Sequence, residues 1–156
     1  MKCKWLYQYP IGTVGIAEED GYIVRVFFGD DARAGALQDF QALESELIRK
    51  AAGQLDEYFA GQRREFDLPF LFRGTDFQKQ AWDALLEIPY GRTQSYGEIA
   101  ARIGRPKASR AVGMANNRNP IVIICPCHRV IGANGTLVGY GGGLPAKKYL
   151  LDLEKE

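Results

Sequence analysis

The stretch Ser95-Tyr96-Gly97-Glu98-Ile99-Ala100-Ala101-Arg102-Ile103-Gly104-Arg105-Pro106-Lys107 decides how this 156-residue chain is read. Ser95-x-x-Glu98 has the form of a capping box, in which the serine hydroxyl and the glutamate carboxylate satisfy each other's backbone N–H groups. A short helix from Tyr96 to Ile103 follows, and Gly104 ends it. Pro106 stands where a second helix can begin, because a first turn does not need its missing N–H. That helix is predicted over residues 107–117, with Ala111, Val112 and Ala115 on one side and Lys107, Arg110 and Arg118 on others. Two short helices across a glycine turn, the second basic, read as a helix-turn-helix at residues 95–118.

The charge pattern agrees. Net charge is only +1, yet residues 1–75 carry a net −3 and residues 76–156 a net +4. Between Glu98 and Asp152 there is no acidic residue, while Arg102, Arg105, Lys107, Arg110, Arg118, Arg129, Lys147 and Lys148 are all basic. A field of one sign suits a polyanion, although a solvated basic face has the same composition.

Working outward, Thr75-x-x-Gln78 is another capping box, and Phe77, Ala81, Trp82, Leu85 and Leu86 mark a buried helical stripe before Pro89 and Gly91. Residues 1–74 read as a small α+β unit. Trp5-Leu6-Tyr7, Thr13-Val14-Gly15-Ile16 and Tyr22-Ile23-Val24-Arg25-Val26-Phe27-Phe28 are strand-like, with a turn at Glu18-Glu19-Asp20-Gly21. Leu37, Phe40, Leu43, Leu47, Ile48 and Leu55 recur at near-helical spacing up to Gly61. Cys3 reads as a bystander near a mobile terminus. The fold class is therefore α+β. A supporting sheet-plus-helix domain over 1–74 precedes a mostly helical domain over 75–156 with an active-site strand.

That strand is Ile121-Val122-Ile123-Ile124-Cys125-Pro126-Cys127-His128-Arg129-Val130, which carries two of three cysteines and the single histidine. A lone histidine is usually structural, and a cysteine at a strand end is usually core. Their adjacency in basic surroundings, which favour a thiolate, points to chemistry instead. Three chemistries compete. Cys3, Cys125, Cys127 and His128 could form a metal set, but the two-residue knuckle gap is missing. A Cys–His hydrolase needs a water between the two side chains, because neighbours on a strand face opposite ways. A thiolate acting on DNA needs no cofactor, and neither a phosphate-binding glycine loop nor a zinc-deaminase signature is present. Such a thiolate suits a saturated alkyl carbon, and the resulting thioether would not release, so each molecule would act once.

Composition is that of an ordinary globular protein, 46% hydrophobic and 25% charged, which excludes disorder and collagen-like repeats. No apolar run approaches the ~18 residues of a membrane span. Three cysteines with no apolar leader at Met1-Lys2-Cys3-Lys4-Trp5 suggest a reducing, intracellular setting.

Pro126-Cys127-His128-Arg129-Val130 resembles the active-site motif of the 6-O-alkylguanine-DNA alkyltransferases, the methylated-DNA–protein-cysteine methyltransferases. The similarity extends through Phe77-Gln78, Ile88-Pro89-x-Gly91-x-Thr93-x-Ser95-Tyr96-Gly97-x-Ile99-Ala100, Arg110-Ala111-Val112-Gly113, Asn119-Pro120, Gly139-Tyr140-x-Gly142-Gly143 and Lys147. It covers essentially all of residues 75–156. The resemblance implies cofactor-free, metal-free, single-turnover repair in which an O6-alkylguanine is flipped from duplex DNA and its alkyl group passes to Cys127.

It further implies His128 as base through a bridging water, Glu154 as the carboxylate holding it, and Asn119 as a brace. Tyr96 would assist flipping and donate to the base. Arg110 would enter the duplex, Ala111 and Ala115 would approach the minor groove, and Arg129 would contact DNA. Pro126, Tyr140, Gly141 and Gly142 would line the alkyl pocket. The implied partner is double-stranded DNA containing alkylated guanine, bound by a monomer in the cytoplasm, or in the nucleus of a eukaryote. With His128 the single histidine, the N-terminal zinc site of some relatives is not expected. Gly141 stands where many relatives have Ser or Ala. The alternative is a non-catalytic lesion-binding or regulatory protein of the same fold; related proteins of that kind replace the acceptor cysteine.

Overall fold

The computed structural model describes residues 1–29 and 37–155. Three strands, β1 (Lys2–Tyr9), β2 (Gly12–Glu19) and β3 (Tyr22–Phe28), form an antiparallel meander whose second turn is Asp20-Gly21. A two-residue strand β4 (Gln41–Ala42) pairs in parallel with β1, giving the order β3-β2-β1-β4. Helix α1 (Glu46–Phe59), capped by Ser45, packs on this sheet. The second half holds α2 (Asp76–Leu86), β5 (Gln94–Ser95), α3 (Tyr96–Arg102), α4 (Ser109–Asn117), β6 (Val130–Ile131) and α5 (Leu144–Leu153). Among the described residues no helix is long and apolar enough to cross a membrane.

Both capping boxes form, at Thr75/Gln78 and at Ser95/Glu98. Gly104, at φ 78°, supplies the left-handed residue after α3, and Arg105 N–H bonds to Ala100 O at 2.9 Å. Ile99, Ala100, Val112 and Ala115 are buried between the two helices of the helix-turn-helix and α2.

Five local expectations are corrected. The spacing that begins at Leu37 is not one helix. Leu37 and Phe40 instead cover the sheet face formed by Ala17, Val24 and Phe27, and α1 starts only after Ser45. Cys3 is fully buried in β1, on no mobile end. Leu86 is exposed. Helix α4 begins at Ser109 because residues 105–108 form a separate turn, Ala108 N–H to Arg105 O at 2.9 Å.

The fifth concerns the active-site strand. Residues 121–130 are buried, and apolar up to Cys127, but form a chain of tight turns. Ile123 takes φ 71°, unusual for a β-branched residue, and turns the chain so that Cys125 N–H returns to Ile121 O at 2.9 Å. Cys127–Arg129 is one turn of 3-10 helix. Strand character survives at Val26↔Ile121, where Val26 N–H bonds Pro120 O at 2.9 Å and Val122 N–H bonds Val26 O at 3.1 Å. On the same edge of β3, Ile23 N–H bonds Pro69 O at 2.9 Å, and Leu71 N–H bonds Ile23 O at 3.1 Å. One core cluster therefore joins Val14, Ile16 and Val26 of the sheet to Ile121, Val122 and Cys127 of the second half.

Candidate active site

Cys127 opens the 3-10 turn and is 3% exposed. In such a turn successive side chains are about 120° apart, so Cys127 and His128 do not face opposite ways as strand neighbours would. The preceding turn is fixed by Asn119, whose side-chain amide donates to Cys125 O at 2.8 Å while its oxygen accepts from Ile121 N–H at 3.0 Å. Pro126 precedes the 3-10 turn and lines a groove shared with Arg64, Phe66 and Tyr90 of the surrounding loops.

His128 is completely buried, and its Nε2 lies 2.7 Å from Glu154 Oε2. A carboxylate only accepts, so the proton of a neutral imidazole sits on Nε2 and the lone pair on Nδ1. Nδ1 is itself buried and makes no hydrogen bond to the described residues. Burial pushes the His128 pKa below its ordinary value against the opposing pull of Glu154, and the positive Arg129 and Lys147 lower it further. Burial alone would raise Glu154, but hydrogen bonds from His128 and Arg129 outweigh it and hold the carboxyl at about 2. Arg129 alone supplies a full countercharge, so an anionic Glu154 beside a neutral His128 is a consistent state.

Arg129 is therefore not where the basic window suggested. It is buried, with Nε on Glu154 Oε1 at 2.8 Å and Nη1 on Ile88 O at 2.7 Å. The expectation that it touches DNA fails, because its guanidinium is committed to the interior. Ala115 is corrected likewise: it is 2% exposed, and its carbonyl accepts from Trp82 Nε1 at 2.8 Å. Arg110 and Ala111, by contrast, are exposed on α4.

Around the thiol, Tyr96 at the start of α3 donates to Val138 O at 3.1 Å. Burial raises its pKa, Cys127 adds to the rise, and Asn116 opposes it. The Tyr140 hydroxyl is buried, and burial followed by the adjacent Cys127 thiol pushes it well up. Tyr140 also meets the Phe28 ring edge-on at 5.5 Å. The glycines after it differ. A Cβ on Gly142 would sit 2.7 Å from the Phe28 ring, whereas one on Gly141 would meet nothing within 4 Å.

Three residues here were not predicted as site residues. Lys147, fully buried, donates to Val130 O at 2.6 Å and Val138 O at 2.9 Å, pinning the loop that carries Tyr140. Asn116, also buried, reaches Cys127 O at 3.4 Å. Tyr58 of α1 donates to Glu154 Oε2 at 2.6 Å. Lys147 had a visible signal in the motif; the other two had none. Among the described residues no cluster of three or more His, Cys, Asp or Glu could hold a metal.

A helix-turn-helix unit built around a buried cysteine, with a histidine and a carboxylate in series, defines a DNA-repair methyltransferase whose partner is DNA. The chain belongs to the 6-O-methylguanine DNA methyltransferase family. That family's DNA binding domain matches residues 76–156 and its ribonuclease-like domain residues 3–72. The chain is 51% identical over 149 residues to a methylated-DNA–protein-cysteine methyltransferase of Methanosarcina acetivorans, covering 96% of each. It is 60% identical over 150 residues to that of Mycobacterium leprae, covering 94% of this chain and 88% of the other. A crystal structure of the Mycobacterium tuberculosis O6-methylguanine methyltransferase superposes with a TM-score of 0.92 at 46% identity, covering 99% of this chain and 93% of that one. The structure of Mycobacterium tuberculosis OGT in complex with DNA gives 0.91 at 47%, covering 97% and 92%.

Proposed function

We propose that Cys127 takes an alkyl group from O6 of a guanine flipped out of duplex DNA, once per molecule. The observation that carries this is the pairing of His128 Nε2 with Glu154, which leaves the Nδ1 lone pair as a base one residue from the thiol. His128 accepts the thiol proton through a water. The sulfur then forms a bond to the alkyl carbon while the carbon–O6 bond breaks, its electron pair staying on the base. The guanine regains the proton the thiol lost, so atoms and charge balance without a co-reactant. The product is a thioether, which water does not cleave.

In this reading Arg110 and Ala111 on the exposed face of α4 approach the minor groove. Arg110 fills the space the base leaves, and Tyr96 donates to the flipped base. Tyr140 and Gly141 border the alkyl pocket, and Asn119 braces the turn. Residues 1–74 support and residues 75–156 bind and react, as a cytoplasmic monomer. The test is the intact mass after mixing with duplex containing O6-methylguanine. One methyl per molecule, mapped to Cys127 and absent from Cys127→Ala, is expected. Methyl on Cys125 or Cys3, or several turnovers per protein, would overturn the assignment.

A further inference from the structure

Tyr58 lies 96 residues before Glu154, in α1, and is fully buried. Its ring is fixed by Phe59, Phe66 and Tyr90, with centroids 5.4, 5.6 and 6.3 Å away. Its hydroxyl donates at 2.6 Å to Glu154 Oε2, the oxygen that also meets His128 Nε2 at 2.7 Å and Arg129 Nη2 at 3.0 Å. An oxygen with two lone pairs is then shared by three donors. Each donor draws on the same charge, and together they fix the carboxylate plane.

We propose that Tyr58 is a positioning residue for alkyl transfer, supplied by the N-terminal half: it holds the Glu154 carboxylate against His128 and moderates the charge the imidazole feels. The proposal rests on the Cys127–His128–Glu154 reading above. The groups on the carboxylate are His128 and Arg129 from the 3-10 turn and Tyr58 from α1; Tyr90 after α2 faces Tyr58, Lys147 of α5 faces His128, and Tyr140 before α5 faces both Tyr58 and Glu154. Burial, reinforced by Glu154, keeps the phenol protonated and therefore a donor. Without it, Oε2 would lose one constraint and present more charge to His128, which would hold its proton to higher pH.

The experiment compares parent, Tyr58→Phe, Glu154→Gln and the double variant, using O6-benzylguanine as a free substrate so that DNA binding plays no part. Tyr58→Phe keeps the ring packing and removes one oxygen. Its transfer rate should fall about fivefold, less than the full loss of a hydrogen bond to a charged group, because His128 and Arg129 still hold the carboxylate. Its rising pH limb should move to higher pH, and in the Glu154→Gln background it should cause no further loss. A pH profile superimposable on the parent's, or losses that multiply in the double variant, would show a packing role alone and overturn the proposal. Failure of Glu154→Gln itself to slow transfer would instead strike the underlying relay.

Discussion

Arg129 grips Glu154 at two points, Nε to Oε1 at 2.8 Å and Nη2 to Oε2 at 3.0 Å, with both side chains inside the protein. Breaking one side of a buried pair strands the other charge, and costs of about 3 kcal/mol or more are typical. Arg129→Ala should therefore lower the urea midpoint by a matching amount. A variant of parental stability that binds DNA weakly would restore Arg129 to the surface role the sequence suggested.

The single histidine gives an unusually clean pH test. His128 resists protonation when folded, whereas the unfolded chain takes up a proton near the ordinary value of 6.5. The unfolded state therefore binds more protons below that pH, and stability should fall as pH drops through 6.5. His128→Gln should flatten this slope. Glu154 adds a second window: with its folded value near 2 and an ordinary value of 4.5, its contribution is complete above 4.5 and is lost toward 2. A parent curve that is flat just below 6.5 would mean the imidazole is not held neutral.

The neighbouring glycines should respond in opposite ways. Gly142→Ala drives a methyl into the Phe28 ring and should cost about 1–3 kcal/mol, as overpacking does. Gly141→Ser meets open space and should leave stability nearly unchanged. It should, however, lower the ratio of benzyl to methyl transfer rates by narrowing the pocket wall. An unchanged ratio would assign Gly141 to the turn.

Arg110 is exposed on α4, so its loss should leave folding intact. Arg110→Ala should slow repair of a duplex far more than alkylation by free O6-benzylguanine, because only the duplex must be unstacked. The salt dependence of DNA binding should also become shallower if the guanidinium meets a phosphate. Equal slowing with both substrates would exclude a role within the helix.

What the sequence revealed was local. Strand β3 and the two capping boxes depend on residues within a few positions of each other, and all three stand where the pattern put them. Periodicity misled at Leu37 and Phe40, since a sheet cover and a helix face can share the same spacing. The apolar run at 121–130 looks like a strand because nothing in an isoleucine announces positive φ. Cys127, His128 and Glu154 were legible through the family motif. The sinking of Arg129 was not, for its partner lies 25 residues away and a basic window reads as surface. Tyr58 was hidden by the same distance effect on a larger scale.

The outer edge of β3 has one more consequence, for anyone dividing this protein at residue 74. Ladder bonds from Val26 are made to residues 120 and 122, beyond that cut. Released alone, the N-terminal piece would keep the cover of residues 69–71 on Ile23 but present an open edge at Val26 with Phe28 beside it, a template for pairing with another copy. The reactive piece would lose the strand that anchors its turn at Ile121. Each half is thus the other's solubility partner, and a split version should be made only by co-expressing the two.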